Sequence, residues 1–187
     1  PSSYTLQEGD IVGCDTVAEL NGFNGDSCYT FAVGEIDDMK KHLLKTTLQS
    51  LYVGIEEARA GSRIGNIANA VQTYCEKRGL SVVREMCGHG IGRSMHEDPE
   101  VPNYGRRGTG ALLKPNMCIC IEPMINAGSK NIVIERNGWE CRTRDRKPSA
   151  HFEHTLLITD DKPEILTTFR YVEEALGIPV SGDKFQA

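Results

Sequence analysis

The chain has 187 residues, 39% of them hydrophobic, and a net charge of −5, which describes one globular domain spanning residues 1–187. This acidic balance argues against nucleic-acid partners, and without a secretory signal or a membrane-length apolar run we expect a cytoplasmic protein with no membrane partner. Seven cysteines without a Cys-x-x-Cys pair predict reduced, mostly buried thiols.

A β-hairpin is predicted at the start of the chain, where Asn21-Gly22 separates residues 10–20 from 23–33. With a two-residue turn, Leu20 faces Phe23, and Asp26 therefore faces Val17. Since side chains alternate along a strand, Asp15 shares that face, and its Cα is expected about 7–8 Å from that of Asp26. Two like charges this close favour a bound cation, although a solvated face with incidental acids remains the alternative.

Two helices and further strands are predicted after the hairpin. Apolar spacing predicts a helix from Met39 to a stop at Gly61, and a second helix capped by Ser62 that stops at Gly79. A strand near 80–84 precedes a glycine-rich stretch, 87–110, which is predicted to be a long ordered loop. Strands are expected at 117–122, 131–135 and 151–159, followed by a short helix at 169–176 and a tail to Ala187. This order predicts an α+β fold with a largely antiparallel sheet and helices on one side.

Several other residues are candidates for chemistry. His89 lies between glycines in Gly88-His89-Gly90, and His96 follows seven residues later. Either histidine alone is more often a hydrogen-bonded structural residue. Glu122 ends one apolar strand and Glu153 interrupts another, both costly places for a carboxylate without a partner.

Together, Asp15, Asp26, His89, Glu122 and Glu153 form a hard, oxygen-rich donor set. Such a set suits two divalent ions about 3.5–4 Å apart and favours Mn, Fe(II) or Co over structural zinc. Two ions would also lower the pKa of a bridging water molecule and so generate a nucleophile at neutral pH.

These motifs resemble those of the pita-bread metallopeptidases, and within them the type I methionine aminopeptidases. The resemblance rests on the segments 21–26, 87–93, 121–125 and 152–155 and covers nearly the whole chain. It implies a pita-bread fold, a mostly antiparallel curved sheet with helices on its outer face. It also implies that Asp15, Asp26, His89, Glu122 and Glu153 bind two divalent ions, with Co, Mn, Fe(II) and Zn all candidates. The expected activity is removal of the initiator methionine from nascent chains and methionyl peptides.

The resemblance assigns further roles. His96 is expected to hydrogen-bond the substrate peptide group and to stabilise the tetrahedral intermediate, and Glu122 to shuttle the proton to the leaving amine. Trp139 resembles a residue that walls the methionine pocket, although core packing is its alternative interpretation. Met95 and His151 stand where an aromatic residue and a glutamine are common in the family, which changes the expected shape of the pocket.

The start of the chain also departs from the family. Only about ten residues precede the hairpin, whereas family members carry upstream helices and strands and a further active-site histidine. His42 and His154 are not obvious replacements, because one is predicted on a helix and the other on the strand face opposite Glu153. We therefore expect an N-terminally incomplete fold, completed by its own upstream segment or by a partner subunit.

Two other functions remain open at this point. One is an Xaa-Pro aminopeptidase or dipeptidase with the same five ligands. The other is a non-catalytic pita-bread module that binds peptides. The context of Asp26 and of Trp139 favours the methionine enzyme, and the presence of all five ligands argues against the binding module.

Overall fold

A computed structural model describes residues 3–182, and the end of the predicted tail to Ala187 lies outside them. The described residues form twelve strands and three helices, which follow one another along the chain as β1 (Ile11–Leu20), β2 (Phe23–Ala32), α1 (Asp38–Ile55), α2 (Ile64–Glu76), β3 (Ser81–Val82), β4 (Gly88–Gly90), β5 (Glu97–Val101), β6 (Cys118–Ile121), β7 (Met124–Asn126), β8 (Ile132–Ile134), β9 (Cys141–Thr143), β10 (Ser149–His151), β11 (Glu153–Leu157), β12 (Glu164–Ile165) and α3 (Arg170–Ala175). Within this range, no helix combines the length and apolar character needed to cross a membrane.

The first two strands form the predicted hairpin. Asn21 and Gly22 both have positive φ, 53° and 78°, which is the geometry of the two-residue turn favoured between antiparallel strands. The register pairs Leu20 with Phe23 and Val17 with Asp26, as predicted from the turn.

The largest sheet places the hairpin beside the later strands. Its order is β1-β2-β11-β6-β4-β5, and β12 pairs with the C-terminal end of β11. The described strand pairs are all antiparallel. Strands from the start, middle and end of the chain thus meet side by side. The predicted α+β fold with a mainly antiparallel sheet is confirmed.

Helices α1 and α2 pack on each other and bury the apolar face of the sheets. Asp37 caps α1 by accepting a hydrogen bond from the Lys40 amide at 2.8 Å. Leu43, Leu51 and Ile55 of α1 are fully buried and join one core with the strands. Because the helices cover this face, polar side chains of the sheet gather on the other one.

The helix boundaries differ from the prediction. Helix α1 ends at Ile55 rather than near Gly61, because Ala60 and Gly61 donate backbone hydrogen bonds to Thr159 and Leu113 instead of continuing the helix. Ser62 is not the cap of α2.

The first amides of α2 are satisfied by a neighbouring loop. Ile64 and Gly65 donate to the carbonyls of Ala111 and Thr109, so the helix needs no side-chain cap.

The stretch 87–110 is not simply a loop. It contains β4 and β5, and β4 is held between β5 and β6. Glycine lowers strand propensity, so the sequence did not predict β4. The neighbouring strands stabilise it in the folded chain.

Candidate metal centre

The hairpin supplies two carboxylates to one face, as its register requires. Asp26 is buried and Asp15 exposed, and Cys28 lies directly opposite Asp15. The backbone of Asp26 is held by Thr155 of β11, whose hydroxyl accepts from the Asp26 amide and donates to its carbonyl, both at 2.9 Å. This double contact fixes Asp26 against the strand that carries Glu153.

His89 is positioned by the two glycines that flank it. A Cβ on Gly88 would collide with the Cys120 carbonyl oxygen, and one on Gly90 would collide with the Asp98 carbonyl oxygen. Only glycine therefore lets β4 pass between its neighbours.

The His89 ring has a defined tautomer. Its Nδ1 lies 2.9 Å from the Gly90 carbonyl oxygen, which can only accept, so Nδ1 carries the proton and Nε2 is left as a donor atom for a metal. That Nε2 lies 3.8 Å from Asp26 Oδ2 and 3.6 Å from Glu122 Oε1.

Glu122 and Glu153 reach the same place from neighbouring strands. Glu122 follows the end of β6, and Glu153 begins β11, which pairs with β6. Both side chains are buried, and Asn103 holds the Glu122 carbonyl with a 2.9 Å hydrogen bond.

The donor atoms fall into three overlapping groups, each with all of its atoms within 4.8 Å of one another. The groups are Asp26, His89, Cys120 and Glu153; Glu122, His151 and Glu153; and Asp15, Cys28 and His151. Glu153 links the first two groups and His151 links the last two. The structure therefore brings the five residues singled out from the sequence into one continuous cluster.

The cluster holds more negative charge than the protein alone can balance. Burial raises the pKa of Glu153 to about 8, and the neighbouring charges of Glu122 and Asp26 add to this shift. Burial also raises the pKa of Asp26, as does the charge of Asp15. Without a cation, both carboxyls therefore hold their protons more tightly than ordinary acidic side chains do.

Unpartnered buried atoms show that a cation fits this site. Among the described residues, Asp26 Oδ1, Glu153 Oε1 and His151 Nε2 are buried without a hydrogen-bond partner. Such atoms are costly unless something else satisfies them, and a divalent ion would satisfy all three atom types.

His151, Cys28 and Cys120 belong to the cluster but were not assigned to it from the sequence. The sequence contained a signal for each of them. Cys28 is opposite Asp15 in the hairpin register, and Cys120 and His151 lie two residues before Glu122 and Glu153, the spacing of side chains on one strand face. Burial raises the pKa of both Cys28 and Cys120, so both thiols are neutral in the metal-free protein. The predicted mostly buried cysteines are only partly so, because Cys14 and Cys141 are exposed.

His96 lies next to the cluster, with its ring 4.4 Å from that of His89 between centroids, and its side chain is exposed. Met95, beside it, is also exposed. Trp139 lies between β8 and β9 with 91% of its surface exposed, so the alternative of core packing is wrong. Its role as a pocket wall, like that of Met95, stays a prediction.

The two remaining histidines lie away from the cluster. His42 contacts the Arg78 carbonyl, and His154 is buried between Tyr52 and Phe169.

A buried carboxylate and imidazole cluster on an antiparallel sheet defines a metal-dependent protein with a hard, oxygen-rich centre. The chain belongs to the metallopeptidase family M24, whose family model matches residues 1–160.

Individual relatives agree with this assignment. The chain is 49% identical over 167 residues to methionine aminopeptidase 1 of Bacillus subtilis, which covers 89% of this chain and 67% of the relative. It is 45% identical over 162 residues to the methionine aminopeptidase of Escherichia coli, covering 87% of this chain and 61% of that one. The chain thus spans about two thirds of the length of these relatives.

Solved structures support the same family assignment. The methionine aminopeptidase of Rickettsia prowazekii superposes with a TM-score of 0.86 at 43% identity, covering 88% of this chain and 67% of that one. The prolidase of Pyrococcus furiosus superposes with a TM-score of 0.69 at 24% identity, over 89% of this chain and 44% of that one, which shows a shared fold alone.

Proposed function

We propose that this chain carries the catalytic site of a methionine aminopeptidase that removes the initiator methionine from nascent proteins and peptides. The observation that carries the proposal is the buried cluster with unpartnered oxygens on Asp26 and Glu153. The chain also shares 44–49% identity with relatives named methionine aminopeptidase.

We propose two divalent ions, Co, Mn, Fe(II) or Zn, held by the five residues predicted from the sequence: Asp15, Asp26, His89, Glu122 and Glu153. When bound, such ions supply an activated water molecule and polarise the substrate carbonyl. The protein positions them rigidly, because Thr155 fixes Asp26 and the flanking glycines fix His89.

Two residues act on the reacting groups in this proposal. Glu122 takes the proton from the attacking water and passes it to the leaving amine, because its carboxylate is buried at the centre of the cluster. His96 is exposed beside His89, where its ring can donate a hydrogen bond to the substrate peptide group.

Substrate recognition would use exposed side chains. Met95 and Trp139 are assigned to the pocket for the methionine side chain, since a flexible thioether suits apolar and aromatic walls. Nascent chains are the proposed physiological substrates, which places the activity in the cytoplasm.

The alternatives receive less support. The prolidases and the Xaa-Pro aminopeptidase match the fold at only 20–24% identity, below the identity to the methionine enzymes. A non-catalytic module would not need buried carboxylates without partners.

The test measures the divalent metal content of the reconstituted chain and then its cleavage of two peptides. After reconstitution, the chain should bind two equivalents of divalent metal and should hydrolyse Met-Ala-Ser faster than Ala-Pro-Ala. Glu153→Gln should lose bound metal, whereas the control Glu164→Gln, on the neighbouring strand β12, should retain it.

Two outcomes would contradict the proposal. Preference for Ala-Pro-Ala would favour the proline-specific alternative, and a reconstituted protein without divalent metal would favour the binding module.

A further inference from the structure

His151 occupies a position in the cluster that mirrors that of His89. Its Nε2 lies 3.5 Å from Glu122 Oε2, while His89 Nε2 lies 3.6 Å from the other oxygen of the same carboxylate. Glu122 is therefore placed between two imidazoles.

These separations match those of ligands on a shared ion. Two donors each about 2.1 Å from a tetrahedral ion lie about 3.4 Å apart. His151 also groups with Asp15 and Cys28 on one side and with Glu153 on the other, all with donor atoms within 4.8 Å.

The His151 backbone is held firmly in this position. Its amide donates to Thr30 Oγ1 at 3.1 Å, and the same hydroxyl donates to its carbonyl oxygen at 2.5 Å. On the other side, His151 pairs with Met124 of β7. The ring consequently points at the carboxylates, and its Nε2 is buried without a hydrogen-bond partner.

We propose that His151 is a direct ligand of the metal centre, on the side of Asp15, so that each of two ions receives one imidazole and Glu122 lies between them. This inference rests on the proposed function only in requiring a divalent ion at the cluster. A second nitrogen donor favours borderline ions such as Zn and Co over Mn, which prefers oxygen.

The experiment follows the ring nitrogens of the whole chain by long-range ¹H–¹⁵N NMR during a zinc titration, with ¹⁵N-labelled histidine. The chain has five histidines, and His89→Gln, His151→Gln and His42→Gln identify the three signals that the test compares. The rings of His89 and His151 should both acquire the signature of metal-bound nitrogen, while exposed His42 should not change.

Zinc affinity supplies a second measurement. His151→Gln should weaken the binding of one zinc equivalent by at least about 10-fold. Even the loss of a residue that only hydrogen-bonds a metal ligand lowers metal affinity by about 10- to 100-fold. His42→Gln should bind zinc as the unmodified chain does, because the exposed His42 ring contacts the Arg78 carbonyl and belongs to none of the three donor groups.

The outcomes separate this inference from the proposed function. If zinc binds and His89 responds while His151 stays unbound or becomes an imidazolium paired with Glu122, the His151 inference is overturned and the function stands. If manganese binds and zinc does not, the His151 inference is overturned and the function stands, whereas a chain that binds no divalent ion overturns both. The response to zinc is read on the unmodified chain, and the variants serve only to assign its histidine signals.

Discussion

The rings of His89 and His96 meet edge to face, with centroids 4.4 Å apart and an interplanar angle of 67°. His89 is buried among the carboxylates, whereas His96 is exposed beside it. His89 is therefore suited to bind metal, and His96 is suited to contact a substrate.

We accordingly expect His96→Ala to leave the metal content unchanged and to lower kcat by about 100-fold, as the loss of a transition-state hydrogen bond does. Metal analysis and steady-state kinetics measure the two effects. Ser94→Ala, at an exposed neighbouring position, is the control. Loss of metal would make His96 a ligand, and an unchanged rate would remove it from the mechanism.

The close passage of Gly88 past Cys120 gives a second prediction. Gly88→Ala should lower the free energy of unfolding by about 1–3 kcal/mol, because the new methyl group would meet a backbone carbonyl. It should also weaken zinc binding, since β4 carries His89.

The matched control for this substitution is Gly25→Ala. Gly25 lies in β2 beside Asp26, but a Cβ there meets no atom within 4 Å. Chemical unfolding and zinc titration compare the two variants, and equal behaviour would show that the contact at Gly88 does not position His89.

The raised pKa of Glu153 predicts how the metal-free protein responds to pH. A carboxyl with a pKa of about 8 when folded and 4.5 when unfolded binds its proton more tightly in the native state. Its contribution to stability is complete below pH 4.5 and is lost as the pH rises through about 8.

Buried His154 contributes with the opposite sign and in a lower range. Burial lowers its pKa to about 3, so its contribution to stability is present above 6.5 and is lost as the pH falls from 6.5 towards 3. From about pH 7 to 9 the share of Glu153 is therefore measured as the difference from Glu153→Gln, because the raised pKa of His151 also lowers stability as the pH rises. There the metal-free chain should lose stability relative to Glu153→Gln, as measured by urea unfolding, and zinc should abolish the loss. A metal-free chain that gains stability relative to this variant over that range would refute the assignment.

Trp139 offers a test of the substrate pocket. Because its side chain is 91% exposed, Trp139→Ala should change the free energy of unfolding by no more than about 0.5 kcal/mol. If Trp139 walls the methionine pocket, the KM for Met-Ala-Ser should rise. An unchanged KM would leave Trp139 without a role in recognition.

The exposed edge of the sheet leads to the last prediction. Strand β1 has ten residues and, among the described residues, pairs only with β2, while Leu20 and Phe23 are exposed at the turn. Long unpaired edges favour association, so we expect an upstream peptide or a partner subunit to cover β1. The 187-residue chain alone should then bind metal and still prefer Met-Ala-Ser to Ala-Pro-Ala, but with a low kcat. Light scattering, intact mass and peptide kinetics test this together. Full activity from a monomer of 20.6 kDa would show that no such partner is needed.

The sequence by itself determined the features that depend on short-range order. Asn21-Gly22 set the hairpin register, and with it the shared face of Asp15 and Asp26, because a two-residue turn leaves only one way to pair the strands. The positions of α1 and α2 along the chain followed from apolar spacing, since one face of each helix must be buried.

Only the tertiary structure decided the features that depend on distant neighbours. The amides at the start of α2 are satisfied by Ala111 and Thr109, which made a cap at Ser62 unnecessary, and β4 exists because β5 and β6 flank its glycines. His151 likewise became part of the cluster because Thr30, 121 residues away along the chain, fixes its backbone beside Glu122. Local propensity contains no information about such contacts, because the groups that satisfy one another are far apart in sequence and meet only in the folded chain.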